Sequence, residues 1–258
     1  MCLLVVAYKF HPTYPLVLVA NRDEYYDRPT APVHFWDDAP ELLAGKDLKG
    51  GGTWLGITTS GRLAAITNYR DPRNQKPRAP SRGMLVRDFL LGKDSPVHFL
   101  EPLKNKAGQY NGFNIIVGDM TNLYWYSNKG PGIIALERGV FGLSNHLLDT
   151  PWPKVLRAKQ MLLDLLSSDG LPPDEAFFNL LSDQTKPQDS ELPDTGVGLE
   201  WERILSPIFI SSPVYGTRSS TLIFVDTRGN VRFVEKTHDP GAPPPTVREF
   251  QFTLDSGS

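Results

Sequence analysis

Apolar and polar positions along this chain fall into three blocks: strand-like runs, then helical stripes, then strand-like runs again. The opening block holds two continuous apolar runs, Leu3-Leu4-Val5-Val6-Ala7 and Leu16-Val17-Leu18-Val19-Ala20, on either side of the turn-forming His11-Pro12-Thr13-Tyr14-Pro15. Continuous apolarity over so few residues predicts a hairpin whose strands are buried on both faces. A second hairpin is expected over 53–59 and 62–69, turning at Ser60-Gly61, with further strands at 113–118, 123–127, 133–136, 140–143, 217–225, 231–235 and 250–254.

Helices are expected between these groups. Ser81 can cap one running through 91, and Ser95 another running to about 106. The clearest helix covers 153–167: Pro is tolerated in its first turn, and Val155, Ala158, Leu162, Leu165 and Leu166 share one stripe. A short partner is expected over 174–182, and Pro-, Gly- and Asp-rich stretches at 184–200 and 239–246 read as loops within one domain spanning 1–258. Strands, helices and strands again predict an α+β fold with antiparallel sheets and helices outside them. The glycines of Lys49-Gly50-Gly51-Gly52-Thr53 precede a strand, whereas a phosphate-binding loop opens a helix, so they read as a flexible entry to that strand.

Composition narrows the classes. In 258 residues, 40% hydrophobic and 22% charged is ordinary for a globular chain, and a net charge of −2 gives no global attraction to nucleic acid. The apolar runs are far too short to span a bilayer, and no basic segment precedes the first, so no transmembrane segment is expected. One cysteine makes no internal disulfide, which fits a reducing compartment, cytoplasmic or organelle-associated.

That cysteine is Cys2. Removal of Met1, normal before so small a residue, leaves Cys2 with a free α-amine whose reference pKa is about 7.7–8.0. Such an amine can take the thiol proton, so nucleophile and base reside in one residue. The position equally suits a cysteine that only begins a buried strand. Polar groups end several strands: Asn21-Arg22-Asp23-Glu24 after the second, Asn68-Tyr69 after 62–67, Ser144-Asn145-His146 after 140–143, and Gly216-Thr217-Arg218 at the start of a late one. Across a hairpin, the Asn21–Glu24 cluster lies beside the chain start, where a carboxylate can hold the amine and a guanidinium can lower a thiol pKa.

The stretches Met1-Cys2, Ala20-Asn21-Arg22-Asp23-Glu24, Gly51-Gly52-Thr53-Trp54-Leu55-Gly56-Ile57, Ala64-Ala65-Ile66-Thr67-Asn68-Tyr69, Tyr110-Asn111-Gly112-Phe113-Asn114, Gly142-Leu143-Ser144-Asn145 with Thr150-Pro151-Trp152, and Tyr215-Gly216-Thr217-Arg218 together resemble, nearly end to end, the NRDE family, whose eukaryotic members are called transport and Golgi organisation protein 2. That family is in turn similar to the N-terminal-nucleophile hydrolases of the choloylglycine hydrolase and penicillin V acylase type. The resemblance implies a four-layer αββα sandwich of antiparallel sheets. It casts Cys2 as nucleophile, Asp23 as partner of the α-amine, Asn145 as an oxyanion donor with a backbone N–H near Asn68 or Tyr69, and Arg218 as a residue beside the cysteine. Those hydrolases carry their arginine three positions before the aspartate. Here Arg22 adjoins Asp23, and strand alternation predicts that it faces away from Asp23 and does not reach the cysteine.

Two functions follow as expectations: cleavage of an amide or an acyl-coenzyme-A-like thioester by Cys2, or carriage of haem or acyl-coenzyme A in the same pocket without catalysis. Neither requires a cofactor. For haem, Cys2 or His146 could ligate iron, no firmer metal site being apparent among five scattered histidines. Asn21, Arg22, Glu24, Tyr69, Arg70 and His146 are the candidate ligand contacts. The basic stretch from Arg70 to Arg82 suits propionates or phosphates, and equally reads as a solvated loop.

Overall fold

The computed structural model describes residues 2–168, 170–241 and 244–255, with Cys2 described through its backbone. In chain order the elements are β1 (Cys2–Tyr8), β2 (Leu16–Tyr25), β3 (Thr30–Trp36), β4 (Ala39–Asp47), β5 (Leu55–Thr58), β6 (Leu63–Asn68), α1 (Gly83–Leu91), α2 (Pro96–Lys106), β7 (Phe113–Gly118), β8 (Leu123–Ser127), β9 (Ile133–Leu136) and β10 (Gly139–Leu143), followed by α3 (Pro153–Leu165), α4 (Asp174–Leu181), α5 (Leu199–Leu205), β11 (Tyr215–Val225), β12 (Asn230–Thr237) and β13 (Thr246–Thr253). They form two antiparallel sheets, ordered β10-β1-β2-β11-β12-β13 and β3-β4-β5-β6-β7-β8-β9.

Alternation along the first hairpin explains the layering. Leu4, Val6, Tyr8, Leu16 and Leu18 point to one side, where they meet Leu43, Ile57, Leu63, Ile116 and Trp125 of the second sheet. Their neighbours Leu3, Val5, Ala7, Val17 and Val19 point the other way, onto Val155, Ala158 and Leu162 of α3 and Phe177 and Leu181 of α4. On the far side of the second sheet, Ala64, Phe113, Ile115 and Val117 pack against Val86, Phe89 and Leu90 of α1 and Leu100 of α2. The result is helix, sheet, sheet, helix: a four-layer α+β sandwich.

Several expectations are corrected. The strands β3 and β4 carry prolines, Pro32 and Pro40, and their pairing is irregular after Ala31 and Phe35; β3 is an edge strand, where a missing N–H is tolerated. The stretch 184–200 is not all loop, because α5 begins at Leu199, and β13 starts at Thr246, inside the second predicted loop. Ser95 caps α2 by accepting from the His98 N–H, whereas α1 starts two residues after Ser81 with no side-chain cap. The glycine run does enter a strand. Gly51 has φ +71, and a Cβ on Gly52 would fall 2.3 Å from the Gly83 carbonyl carbon, so this turn seats against the start of α1. Among the described residues no helix is long and apolar enough to cross a membrane.

Candidate functional site

The polar end of β2 is as buried as its apolar start, and alternation divides it between two faces. Asn21 faces the helix layer and is fully buried. Its Nδ2 donates to the carbonyls of Leu181 and Ile208, at 2.8 and 2.9 Å, and its Oδ1 accepts from Ser220. A side chain so occupied ties β2 to the end of α4; it does not bind a ligand, contrary to expectation. Asp23, on the same face, is 1% exposed. Thr217 Oγ1 donates to its Oδ1 at 2.7 Å, and the Tyr215 hydroxyl donates to its backbone carbonyl at 3.1 Å. Burial pushes the Asp23 carboxyl above the usual carboxylate range, against the pull of Lys154, Thr217 and Arg22.

Arg22 faces the space between the sheets, its guanidinium 4.2 Å above the Trp54 ring. On β12, Glu235 shares that space; burial raises its carboxyl pKa, opposed by the Val33 N–H that donates to it and by the charge of Arg22.

Met1 and the Cys2 side chain, on which the nucleophile and one haem-ligand expectation fall, lie outside the described residues. The Cys2 backbone is placed by register. On one flank it pairs with Arg22. On the other, β1 pairs with β10 as far as Leu4 and Leu143, and Asn145 follows two residues after the end of that ladder. Arg22 and Asp23 do face opposite ways, but Arg22 is the one directly across the ladder from Cys2.

Asn145 is fully buried, and its amide has three neighbours: Nδ2 donates to the Asn68 carbonyl at 3.0 Å, and Oδ1 accepts from Arg70 Nη2 at 3.4 Å and from the Ser144 hydroxyl at 3.5 Å. Asn68 thus contributes a carbonyl acceptor. The N–H of Tyr69 is ruled out as an oxyanion donor, because it is spent on the Gly112 carbonyl at 2.9 Å. Arg70 is not a solvent-facing anion ligand either. Its guanidinium is 5% exposed, pairs with Glu202 at 2.6 Å and lies over Trp152. Lys76 sits on the Gly108 carbonyl, and Arg73 and Arg78 are exposed, as a solvated loop would have them.

His146 bonds through both ring nitrogens, Nε2 to the Tyr69 hydroxyl at 2.8 Å and Nδ1 to Thr150 Oγ1 at 2.9 Å. Burial lowers its pKa, and neither nitrogen is left to ligate iron. Among the described residues no group of three or more His, Cys, Asp or Glu side chains could hold a metal ion. Arg218 is held by the turn that follows β2. It occupies the bulge between Thr217 and Ser219, and its Nη1 donates to the carbonyls of Tyr25, Tyr26 and Arg28, clamping the turn after β2. Glu24 turns its carboxylate back onto the Tyr25 N–H.

Two cavities meet at this end of the sandwich. A polar one of about 440 Å³ is lined by Arg22, Asp23, Trp54, Ser81 and Lys49, and an aromatic one of about 560 Å³ by Tyr25, Tyr69, Trp201, Leu205 and Tyr215. Glu24, Asn68 and Arg82 line both, so they are lobes of one depression. The polar partners absent from the sequence reading had a signal. Lys154 falls four residues before Ala158 and eight before Leu162, a lysine on the apolar stripe of α3, and Glu235 extends the face of Val231 and Phe233 on β12. Glu202, in a seven-residue helix, had none.

The family described as Transport and Golgi organisation 2 matches residues 1–240. The mouse Transport and Golgi organization 2 homolog is 36% identical over 279 residues, covering 99% of this chain and 100% of that protein. The human homolog is 37% identical over 280 residues, with the same coverage. The Drosophila melanogaster Transport and Golgi organization protein 2 is 28% identical over 268 residues, covering 92% of each. Among solved structures, the mutant C2A conjugated bile acid hydrolase of Clostridium perfringens superposes with a TM-score of 0.50 at 9% identity, over 100% of this chain and 95% of that one. At that identity the likeness is one of fold alone.

Proposed function

This chain belongs to the Transport and Golgi organisation 2 family, and from that premise and the geometry of the site we propose that it is an N-terminal-cysteine hydrolase acting on an amide or thioester of an apolar acyl group. One observation carries the reading: Arg22 stands across the ladder from Cys2, and the buried Asn145 amide follows two residues after β10, the strand that flanks β1 on its other side.

After Met1 is removed, the α-amine of Cys2 takes the thiol proton, and the thiolate attacks the substrate carbonyl carbon. Asn145 Nδ2 donates its second hydrogen to the resulting oxyanion. Collapse breaks the bond to the leaving amine or thiol, which departs with the proton held by the ammonium, and leaves an acyl thioester on Cys2. Water, giving a proton to the same amine, then releases the acid and restores the thiol. Arg22 favours the thiolate by its charge. The aromatic lobe receives the acyl group, with Tyr25 and Trp201 set edge-on to Tyr215 at 5.1 and 6.3 Å, and the polar lobe receives the leaving half.

The test is to incubate the purified protein with a decanoyl thioester and the matching amide and follow intact mass. We expect loss of Met1, a transient decanoyl adduct mapped to Cys2, and acid release, with Cys2→Ala folded but lacking adduct and turnover. An alanine variant that turns over substrate like the wild type ends this reading. Saturable binding of acyl-coenzyme A or haem with no adduct would instead make the protein a carrier.

A further inference from the structure

A buried arginine–carboxylate pair stands immediately behind the proposed oxyanion donor. Arg70 reaches Asn145 two ways: its backbone N–H donates to the Asn145 carbonyl at 2.7 Å and its Nη2 donates to Oδ1, while its guanidinium lies over Trp152. Its Nη1 pairs with Glu202 Oε2. The other oxygen of Glu202 accepts from the N–H and hydroxyl of Thr195, at 2.8 and 2.6 Å. Both charged side chains are nearly sealed, at 5% and 4% exposure.

Such a pair contributes little net stability, because desolvating two charges offsets most of their attraction, and an apolar replacement often serves as well. The geometry here is not optimised for stability, since the buried Arg70 Nε–H has no acceptor among the described residues. What the pair does accomplish is orientation. An asparagine amide turned by 180° would set Nδ2 against the Arg70 donor and Oδ1 against the Asn68 carbonyl, both repulsive. With the guanidinium in place only one orientation survives. It commits one Nδ2 hydrogen to Asn68 and leaves the other without an acceptor among the described residues.

We propose that Arg70, held by Glu202, is a positioning residue that fixes the Asn145 amide so that its remaining N–H points to the developing oxyanion. Glu202 is carried on α5 between Trp201 and Leu205, both of which line the aromatic lobe. The same pair therefore joins the donor to the wall that receives the acyl group. This inference rests on the hydrolase reading above.

The experiment compares wild type, Arg70→Lys, Arg70→Met and Glu202→Gln for decanoyl thioester turnover, acylation of Cys2, thermal stability and the side-chain amide signals of Asn145 by nitrogen-15 NMR. Lysine keeps a charge for Glu202 but lacks the forked second donor. We expect Arg70→Lys to fold, to lose about 10²-fold in kcat, on the scale of losing one oxyanion donor, and to hold KM within about twofold. Its Asn145 amide pair should shift or broaden. In an Asn145→Ala background, Arg70→Lys should have no further effect, as expected of residues acting through one another. If wild type forms no acyl-cysteine, the hydrolase reading fails and this inference fails with it. If wild type acylates while Arg70→Lys retains kcat, or lowers it equally with Asn145 absent, only the positioning role is overturned. Should Arg70→Met not fold, the lysine and glutamine variants decide the matter by the same readouts, and an undisturbed Asn145 amide in both overturns it.

Discussion

Strand β2 contains two halves that are equally buried and chemically opposite. Leu16 to Ala20 are apolar and lie between a sheet and a helix layer, so hydrophobic burial alone holds them, at about 1.5–3 kcal/mol for each large side chain. Asn21, Arg22 and Asp23 are 0, 6 and 1% exposed and gain nothing of that kind. Each needs a specific partner: two carbonyls and Ser220 for Asn21, the Trp54 face for Arg22, and Thr217 for Asp23. A strand that would be more stable as continuous valine and leucine instead ends in three groups requiring individual satisfaction. The change falls opposite the chain start, where Arg22 pairs with Cys2. The first half is held by burial, and the second by individual polar partners at the place where the proposed chemistry would act.

The largest effect that can break this comparison is on activity at Asp23. Asp23→Asn keeps the shape and can still accept from Thr217, but it removes the carboxylate proposed to hold the α-amine. Turnover and the rate of Cys2 acylation should fall by about 10²–10⁴, the usual worth of acid–base assistance, while the melting temperature is held or rises. Loss of folding together with activity would mean that the polar half is as structural as the apolar one.

Next in size is Leu18→Ala. Leu18 is fully buried between the sheets, so its truncation should cost about 2–5 kcal/mol in denaturant unfolding. Turnover per folded molecule should stay at the wild-type value. A fall in kcat at full folding would show that packing four positions along the strand from Arg22, the partner of Cys2, still tunes the site, and would blur the division.

The sandwich was legible because its patterns are long: both faces of β1 and β2 read as buried, and α3 showed its stripe and its proline start. What escaped was short or irregular, as with β3 carrying Pro32 at a sheet edge and α5 with seven residues among prolines and glycines. In the candidate site, strand-end polar clusters drew attention to Asp23 and Asn145, and both are buried. Arg70 and His146 are read by residue type and proximity in sequence, and Arg218 by the family resemblance. The structure assigns their hydrogen bonds to Glu202 and Asn145, to Tyr69 and Thr150, and to the turn after β2. Apart from His146 with Thr150, four residues away, these partners lie 75 to 193 residues along the chain, as with Arg70 and Asn145 or Arg218 and Tyr25, and no local pattern encodes them.

The smallest effect is a slope with pH, and it tests the two halves against each other most directly. Burial raises the Asp23 pKa in the folded protein above its unfolded value, so folding strengthens proton binding there. The corresponding stability is fully present below the unfolded pKa, about 3.9, and is lost as pH rises through the folded value. Across that window wild type should therefore lose stability relative to Asp23→Asn, by at most about 1.4 kcal/mol per pH unit, and the difference should level off above it. Glu235 is shifted the same way, but it titrates in both proteins and drops out of the comparison. The wild-type minus Leu18→Ala difference, measured by denaturant midpoints over the same range, should be flat, since nothing at Leu18 titrates. A wild type that gains on Asp23→Asn as pH rises would reverse the sign. It would mean that attraction to Lys154 outweighs burial, and that Asp23 sits ionised before any α-amine is offered to it.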